Sequence, residues 1–188
     1  DVPWVSFLLY LVVLDFLDYG LHRGQHRFRW WWALHAVHHS QQKMSFWTDD
    51  RNHLLDDLLL DAIKAAVALL IGVEPAQFVG IVMATRVVQS VQHANVPWTL
   101  GPLGRLLVSP IFHRRHHAIG YGHEGRAMGC NFAVLFPVWD SLFGTADWNP
   151  TVEPTGIRDQ APEHGARDYG RGFWAQQWLG LKRLLSAS

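Results

Sequence analysis

Three apolar segments run through this chain, and their pattern predicts helices. Residues 2–14 form an apolar run of thirteen residues, whereas about 20 are needed to cross a bilayer. This run predicts either the end of a membrane helix or a buried core helix. Residues 54–73 and 75–91 are also apolar and are separated only by Glu74. Because Pro75 suits the first turn of a new helix, the pattern predicts two helices joined by a tight bend, as in a membrane-embedded hairpin.

Two residue types modify this picture of a hairpin. Charges at membrane depth are costly, so we expect those of the hairpin at the interface or inside the protein: Asp56, Asp57, Asp61, Lys64 and Arg86. Tryptophans near the segment ends predict either an aromatic belt at the interface or ordinary core packing: Trp30, Trp31, Trp32, Trp47 and Trp98. No segment shows a convincing strand pattern, and the predicted fold is therefore all-α, with integral membrane helical hairpins.

The composition changes after Trp148. Proline, glycine and charged residues dominate as far as Arg171, which predicts a surface loop or an extended tail. Residues 173–185 then predict a short amphipathic helix that lies on the membrane or on the body of the protein. We therefore predict a membrane-embedded domain over residues 1–148 and a polar C-terminal tail over residues 149–188.

Charge and cysteine content exclude several kinds of site. Sixteen basic residues balance sixteen acidic ones, so no general attraction to nucleic acid is expected. The single cysteine, Cys130, can form neither an internal disulfide nor a thiolate metal site. Twelve histidines in 188 residues point instead to metal binding by imidazole.

Eight of the histidines fall into three clusters with helical spacing. Spacings of three and four residues place side chains on one side of a helix, so each cluster can direct its imidazoles at a common point. Eight imidazoles exceed the shell of one ion, which predicts a site for two ions of iron, zinc, copper or nickel. The clusters are His22 and His26; His35, His38 and His39; and His113, His116 and His117.

A ninth ligand is predicted at His93, which follows Gln89 by one helical turn. Gln89 or Asn95 could support it. Carboxylates can accept the second ring N–H of a ligand imidazole, and Asp15 and Asp18 share a helical stripe with the first histidine cluster. Asp56, Asp57 and Asp61 could do the same or be solvated charges. The isolated histidines, His53, His123 and His164, are predicted to be polar surface residues.

The three clusters, with Asn131-Phe132 and the segment Trp139-Asp140-Ser141-Leu142-Phe143-Gly144-Thr145, resemble the fatty acid hydroxylase and sterol desaturase superfamily of membrane di-iron enzymes. The resemblance runs from about Asp15 to Thr145. It implies a helical membrane protein in which histidines hold two iron ions in a cytosolic cap, and in which O₂ and external electrons serve to hydroxylate or desaturate a lipid. His93 matches an additional histidine of the superfamily, and Asn131 and Asp140 become further candidates for residues that support the ligands.

Three departures from the superfamily pattern are visible. Gln89 stands where some members carry a histidine, and Ala133 replaces a usual glycine. Members also bring further N-terminal membrane helices. The chain starts at Asp1 without a signal-peptide pattern, and it is interpreted as a truncated chain or a minimal member.

The predicted reaction sets requirements for partners. Unactivated C–H bonds need a metal cofactor, which would be iron, with zinc as an alternative ion in purified protein. The substrate, a sterol, fatty acyl chain or related lipid, would enter from the membrane, with the hairpin as the wall of an apolar entrance. Because no dinucleotide fingerprint is present, electrons would come from cytochrome b5 or ferredoxin with its reductase. The basic stretch 22–29, with Arg114 and Arg115, would dock this carrier or be the positive flank of a membrane helix.

The expected location is the bacterial inner membrane or the endoplasmic reticulum, with the metal site facing the cytosol. An alternative function is a histidine-rich membrane protein that binds or transports divalent metal. Transport would need ligands along the membrane span, whereas these clusters lie just outside the apolar runs. A zinc hydrolase is less favoured still, because no H-E-x-x-H motif is present.

Overall fold

The computed structural model describes residues 3–120 and 128–187 of the chain; His123 lies outside them. Within these ranges the protein is helical and contains no strand, which confirms the all-α prediction. One isolated antiparallel bridge joins Ala118 to Thr155. The α-helices are α1 (Pro3–Arg27), α2 (Arg29–His39), α3 (Leu54–Leu70), α4 (Pro75–His93), α5 (Pro110–His116), α6 (Val138–Leu142) and α7 (Phe173–Ala187). Short 3-10 helices include Phe46–Asp50 and Gly101–Arg105.

Helix α1 carries the first apolar run directly into the first histidine cluster. Its segment Trp4–Arg27 is long and apolar enough to cross a membrane, and only 17% of its most apolar window is buried. A core helix of a soluble protein would be mostly buried, so the exposure favours the membrane helix among the two alternatives. The exposed side chains are large and apolar: Trp4, Val5, Leu8, Leu9, Val12, Val13 and Phe16.

Helices α3 and α4 form the predicted pair, with Pro75 in the first turn of α4. Their apolar side chains point outward: Val79, Met83, Val87 and Val91 recur every four residues on α4, and all four are exposed. Exposed residues of α3 include Leu54, Leu55, Leu58, Leu69 and Leu70. Charged and polar side chains of both helices face α1 instead. This arrangement is the reverse of a soluble amphipathic helix and suits contact with lipid.

An apolar cluster also joins the three helices inside the protein. It consists of Leu14 of α1, Ala68 of α3, Val73 in the bend and Ile81 of α4. Through this cluster, α1, α3 and α4 pack against one another beside their polar faces. The polar faces of these three helices therefore lie side by side.

The C-terminal segment packs on the back of α2. Ile157 and Tyr169 form a buried cluster with Trp32 and Ala36, and Leu179 of α7 adds to it. The amphipathic helix predicted over residues 173–185 is present as α7. It lies on the body of the protein and still exposes Trp174 and Trp178. The division of the chain at residue 148 stays a prediction.

His53, which was expected at the surface, and two of the five tryptophans are buried. His53 is only 2% exposed: its Nδ1 accepts a hydrogen bond from the Leu55 amide at the start of α3, and its Nε2 donates to the Gln177 carbonyl. The prediction of a surface histidine is wrong here because α7 covers it. Trp31 and Trp32 are also buried and are not part of an interfacial belt. The remaining members of the predicted belt, Trp30, Trp47 and Trp98, are exposed, and His164 is exposed as predicted.

The contact between α7 and His53 depends on Gly180. A Cβ atom at this position would overlap the His53 ring, so Gly180→Ala should push α7 away at a cost of about 1–3 kcal/mol. We expect a lower apparent unfolding temperature in detergent. Gly20→Ala is the matched control, because Gly20 is also helical and has no atom within 4 Å of such a Cβ. Equal unfolding temperatures of the two variants would contradict the contact.

Candidate metal centre

Nine imidazoles converge in two adjacent groups. Within each group, the possible ligand atoms all lie within 4.8 Å of one another. Helix α2 contributes to both groups, and so does the segment Pro110–His117 that contains α5. One group contains His22, His26, His35, His39 and His116, and the other contains His38, His93, His113 and His117. Every histidine predicted as a ligand from the sequence is therefore brought into one of the groups.

The spacing of the nitrogens fits coordination. Two ligand nitrogens at about 2.0–2.1 Å from one ion lie roughly 3 Å apart when they occupy neighbouring positions of its shell. The Nε2 atoms of five pairs lie 3.1 Å apart. These pairs are His26–His39, His39–His116, His38–His93, His93–His113 and His113–His117.

Backbone carbonyls fix the protonation of several rings. A carbonyl can only accept, so Nδ1 of His22 donates to Phe132 O at 2.8 Å and Nδ1 of His116 donates to Cys130 O at 2.7 Å. His93 donates from Nδ1 to the carbonyl of Gln89 at 2.8 Å. With the proton on Nδ1, each neutral ring presents its Nε2 lone pair to the centre, as a metal ligand must.

Two buried aspartates support one ligand each. Asp56 Oδ2 lies 3.1 Å from Nδ1 of His35, and the Asp56 carboxylate also accepts hydrogen bonds from Gln25 and Trp31. The Nε2 atom of His35 is buried without a hydrogen-bond partner, which leaves its lone pair for an ion. Asp49 Oδ1 lies 3.2 Å from Nδ1 of His93. Asp56 was one of five carboxylates considered from the sequence, whereas Asp49 was missed.

Burial keeps the imidazoles neutral. Loss of solvent, with repulsion from neighbouring imidazoles, lowers the pKa of five rings well below the usual value of histidine: His38, His39, His113, His116 and His117. Protonated rings could not share so small a space near neutral pH. The neutral form is the one that binds metal.

The loop after residue 128 is built to place the two carbonyls that receive His22 and His116. Asn131 adopts a left-handed backbone conformation with φ 58°, which asparagine tolerates better than most residues. The side-chain amide of Asn131 donates hydrogen bonds to the backbone carbonyls of Phe112 and Asp147. Asp140 accepts hydrogen bonds from the amides of Phe132 and Ala133 and from the Thr145 hydroxyl. Asn131 and Asp140 thus support the ligands through this loop.

Four other predicted supporting residues do not act on imidazole rings through their side chains. Asp15 accepts hydrogen bonds from the amides of Leu135 and Phe136 and from the Trp139 indole, so it anchors the same loop to α1. Asp18 lies 3.5 Å from Lys64 Nζ. Gln89 serves His93 through its backbone carbonyl. Asn95 is exposed and accepts from Arg114. The helical stripe placed Asp15 and Asp18 near the ligands, but their closer partners lie on other segments.

A polar cavity of about 90 Å³ adjoins both histidine groups. Among the described residues that line it, only Leu60 and Val134 are hydrophobic. The hairpin was expected to form the wall of an apolar entrance, and the face that it turns toward this cavity is charged and polar. The reason is helical spacing, because the faces of α3 and α4 that meet α1 are their charged faces.

Comparison with known proteins gives matches over the same region. The fatty acid hydroxylase family matches residues 7–145. Alkylglycerol monooxygenase of Caenorhabditis elegans is 30% identical over 145 residues, 77% of this chain and 27% of the relative. Ornithine lipid hydroxylase of Rhizobium tropici is 31% identical over 150 residues, 80% of this chain and 44% of the relative. A putative methylsterol monooxygenase of Dictyostelium discoideum is 25% identical over 78% of this chain and 53% of its own length.

The chain thus spans less than half the length of the first two of these relatives. No solved structure matches it.

The two aspartates predict separate effects on the two ions. Asp56→Asn should weaken metal binding at the group that contains His35, and Asp49→Asn should weaken it at the group that contains His93, each by about 10–100-fold. Metal titration monitored by calorimetry, with metal content measured after dialysis, would resolve the two sites. Glu163→Gln removes an exposed carboxylate elsewhere and serves as the control. Loss of both ions to the same extent in both variants would contradict the assignment.

Proposed function

The chain belongs to the fatty acid hydroxylase family, and we propose on that basis that it is the metal-binding part of a membrane-bound di-iron oxygenase that hydroxylates or desaturates a lipid. The observation that carries the proposal is the convergence of nine buried imidazoles in two groups. The lipid hydroxylases and monooxygenases among its relatives support a lipid as the substrate.

Two iron ions would supply the O₂ and redox chemistry that side chains lack. The residues of this chain hold them: His22, His26, His35, His39 and His116 would bind one ion, and His38, His93, His113 and His117 the other. The Nδ1 protons of four rings have acceptors that fix the ring orientation: the Phe132 and Cys130 carbonyls for His22 and His116, the Asp56 carboxylate for His35, and the Gln89 carbonyl for His93, which Asp49 also approaches. The neutral imidazoles would bring no negative charge of their own to these ions, and the nearby carboxylates of Asp49 and Asp56 would lie behind the rings.

The outward apolar faces of α1, α3 and α4 support a position in the membrane. Three exposed arginines, Arg23, Arg27 and Arg29, lie at the end of the apolar α1 or just after it. Positive residues flank membrane helices on the cytosolic side, so we place the metal centre there, at the bacterial inner membrane or the endoplasmic reticulum.

The same three arginines are the surface on which we place an acidic electron carrier such as cytochrome b5 or ferredoxin. Arg114 and Arg115 do not extend this surface. Arg115 is buried between Asp147 and Glu153, and Arg114 is half-buried against Asn95. The docking surface proposed from the sequence is therefore restricted to residues 23–29.

Metal transport, the alternative function, is less favoured by this geometry. A transport path needs successive ligands along the span, whereas the nine imidazoles lie together in two adjacent groups. They suit ions that stay bound.

Anaerobic iron loading followed by reaction with O₂ and a reductant tests the oxygenase. We expect lipid mass spectra to show the gain of one oxygen atom or the loss of two hydrogen atoms. His38→Ala and His116→Ala, one from each group, should lose iron and activity together because each removes a ligand. His164→Ala is the control, since His164 is exposed. Full activity in both ligand variants, or no lipid product despite full iron loading, would refute the proposal.

A further inference from the structure

The cavity beside the histidines is formed by one polar stripe from each of three helices. Helix α1 contributes Asp18, His22 and Gln25, helix α3 contributes Asp57, Asp61 and Lys64, and helix α4 contributes Arg86, Gln89 and His93. The positions within each stripe are three or four residues apart, which places them on one helical face. At about 90 Å³ the cavity has room for several water-sized groups. It borders histidines of both metal groups.

The charges of the cavity are unequal. Five aspartates line it, against Lys64 and Arg86: they are Asp18, Asp49, Asp56, Asp57 and Asp61. Asp49 and Asp56 are engaged with ligand histidines. Lys64 lies 3.5 Å from both Asp18 and Asp61. Asp57 makes no ion pair with any residue that the structure describes. The part of the cavity away from the ions is therefore rich in acceptors and short of cations.

Gln92 gives an independent indication that a donor belongs in this cavity. It lines the cavity and is only 1% exposed. Its amide nitrogen donates to the carbonyl of Val134 at 2.7 Å, so the side-chain orientation is fixed by the backbone. Its Oε1 atom is buried without a hydrogen-bond partner. An unpaired buried acceptor costs about 1–3 kcal/mol, and a bound hydroxyl or amine would satisfy it.

We propose that this cavity receives the head group of the lipid substrate, and that this head group donates hydrogen bonds and carries no negative charge. Hydroxyl and amino groups meet this description, whereas a phosphate would face Asp57 and the unpaired oxygen of Gln92. Because the cavity adjoins both histidine groups, the carbon that reacts lies close to the head group rather than deep in the tail. This inference rests on the proposed lipid oxygenase and names its substrate class.

Displacement of a bound lipid tests the inference without turnover. The protein is loaded with zinc, which has no redox chemistry, and is equilibrated in detergent with radiolabelled 1-O-hexadecylglycerol. Unlabelled 1-O-hexadecylglycerol and hexadecylamine should displace it at concentrations at least about tenfold lower than the 3-phosphate of the same ether lipid or hexadecane, a difference of roughly 1.4 kcal/mol. Equal or tighter binding of the phosphate would overturn the proposal.

Substitutions of residues that line the cavity test whether it binds the head group of the lipid or contains only water. Asp57→Asn and Gln92→Leu should each weaken binding of the ether lipid, and Asp57→Lys should reduce the preference against phosphate. Glu163→Gln, outside the cavity, should bind as the unmodified protein does. Retained zinc content shows that each variant is folded. Unchanged lipid binding in both Asp57→Asn and Gln92→Leu, with zinc retained, would mean that only water occupies the cavity.

The outcomes for the two proposals are distinguishable. Head-group selectivity without any lipid oxidation by the iron-loaded protein would refute the oxygenase and leave a selective lipid site. Lipid oxidation with no head-group preference would retain the oxygenase and refute the inference drawn from the cavity.

Discussion

The burial of nine neutral imidazoles in one small region is the constraint on which the structure depends. Each ring brings a lone pair that must be satisfied, and an unpaired buried acceptor costs about 1–3 kcal/mol. Burial lowers the pKa of His38, His39, His113, His116 and His117 well below the usual value of histidine, so protonation of these rings is disfavoured near neutral pH. Bound cations can satisfy the lone pairs instead. The aspartates and loop carbonyls then serve to keep the rings pointed at those cations.

The same constraint explains the unusual helices around the site. Near the histidines, polar side chains of α1, α3 and α4 reach inward, and the outer faces of these helices are apolar. In water this pattern would expose a large hydrophobic surface. A bilayer would satisfy the outer face with lipid, and the inner face would provide a polar environment at that depth. The apolar outer faces and the polar inner faces thus arise from one arrangement of side chains on these helices.

The helices and the histidine clusters could be predicted because both depend on periodicity within a single segment. The hydrogen-bond partners that lie on other segments of the chain could not be predicted in this way. Asp56 and Asp57 are neighbours in the same local sequence pattern. Only tertiary packing brings Asp56 within hydrogen-bond distance of His35 and places Asp57 at the cavity without such a contact. Asp49 has no helical relation to His93, and its role arises from the 3-10 helix that packs on α4. His53 looked like a surface residue because nothing near it in sequence shows that α7 covers it.

The doubled histidines of α2 divide between the two groups, with His39 in one and His38 in the other. Neighbouring positions on a helix differ by about 100° in direction, so the single helix α2 can contribute imidazoles to both groups. His116 and His117 divide in the same way. Binding of an ion in one group therefore orders α2 and the segment that contains α5, which also carry ligands of the other group. The second ion then binds to imidazoles that have already lost conformational entropy. Occupancy of one group should therefore favour occupancy of the other, while each group keeps its own dependence on the carboxylate that supports its ligands.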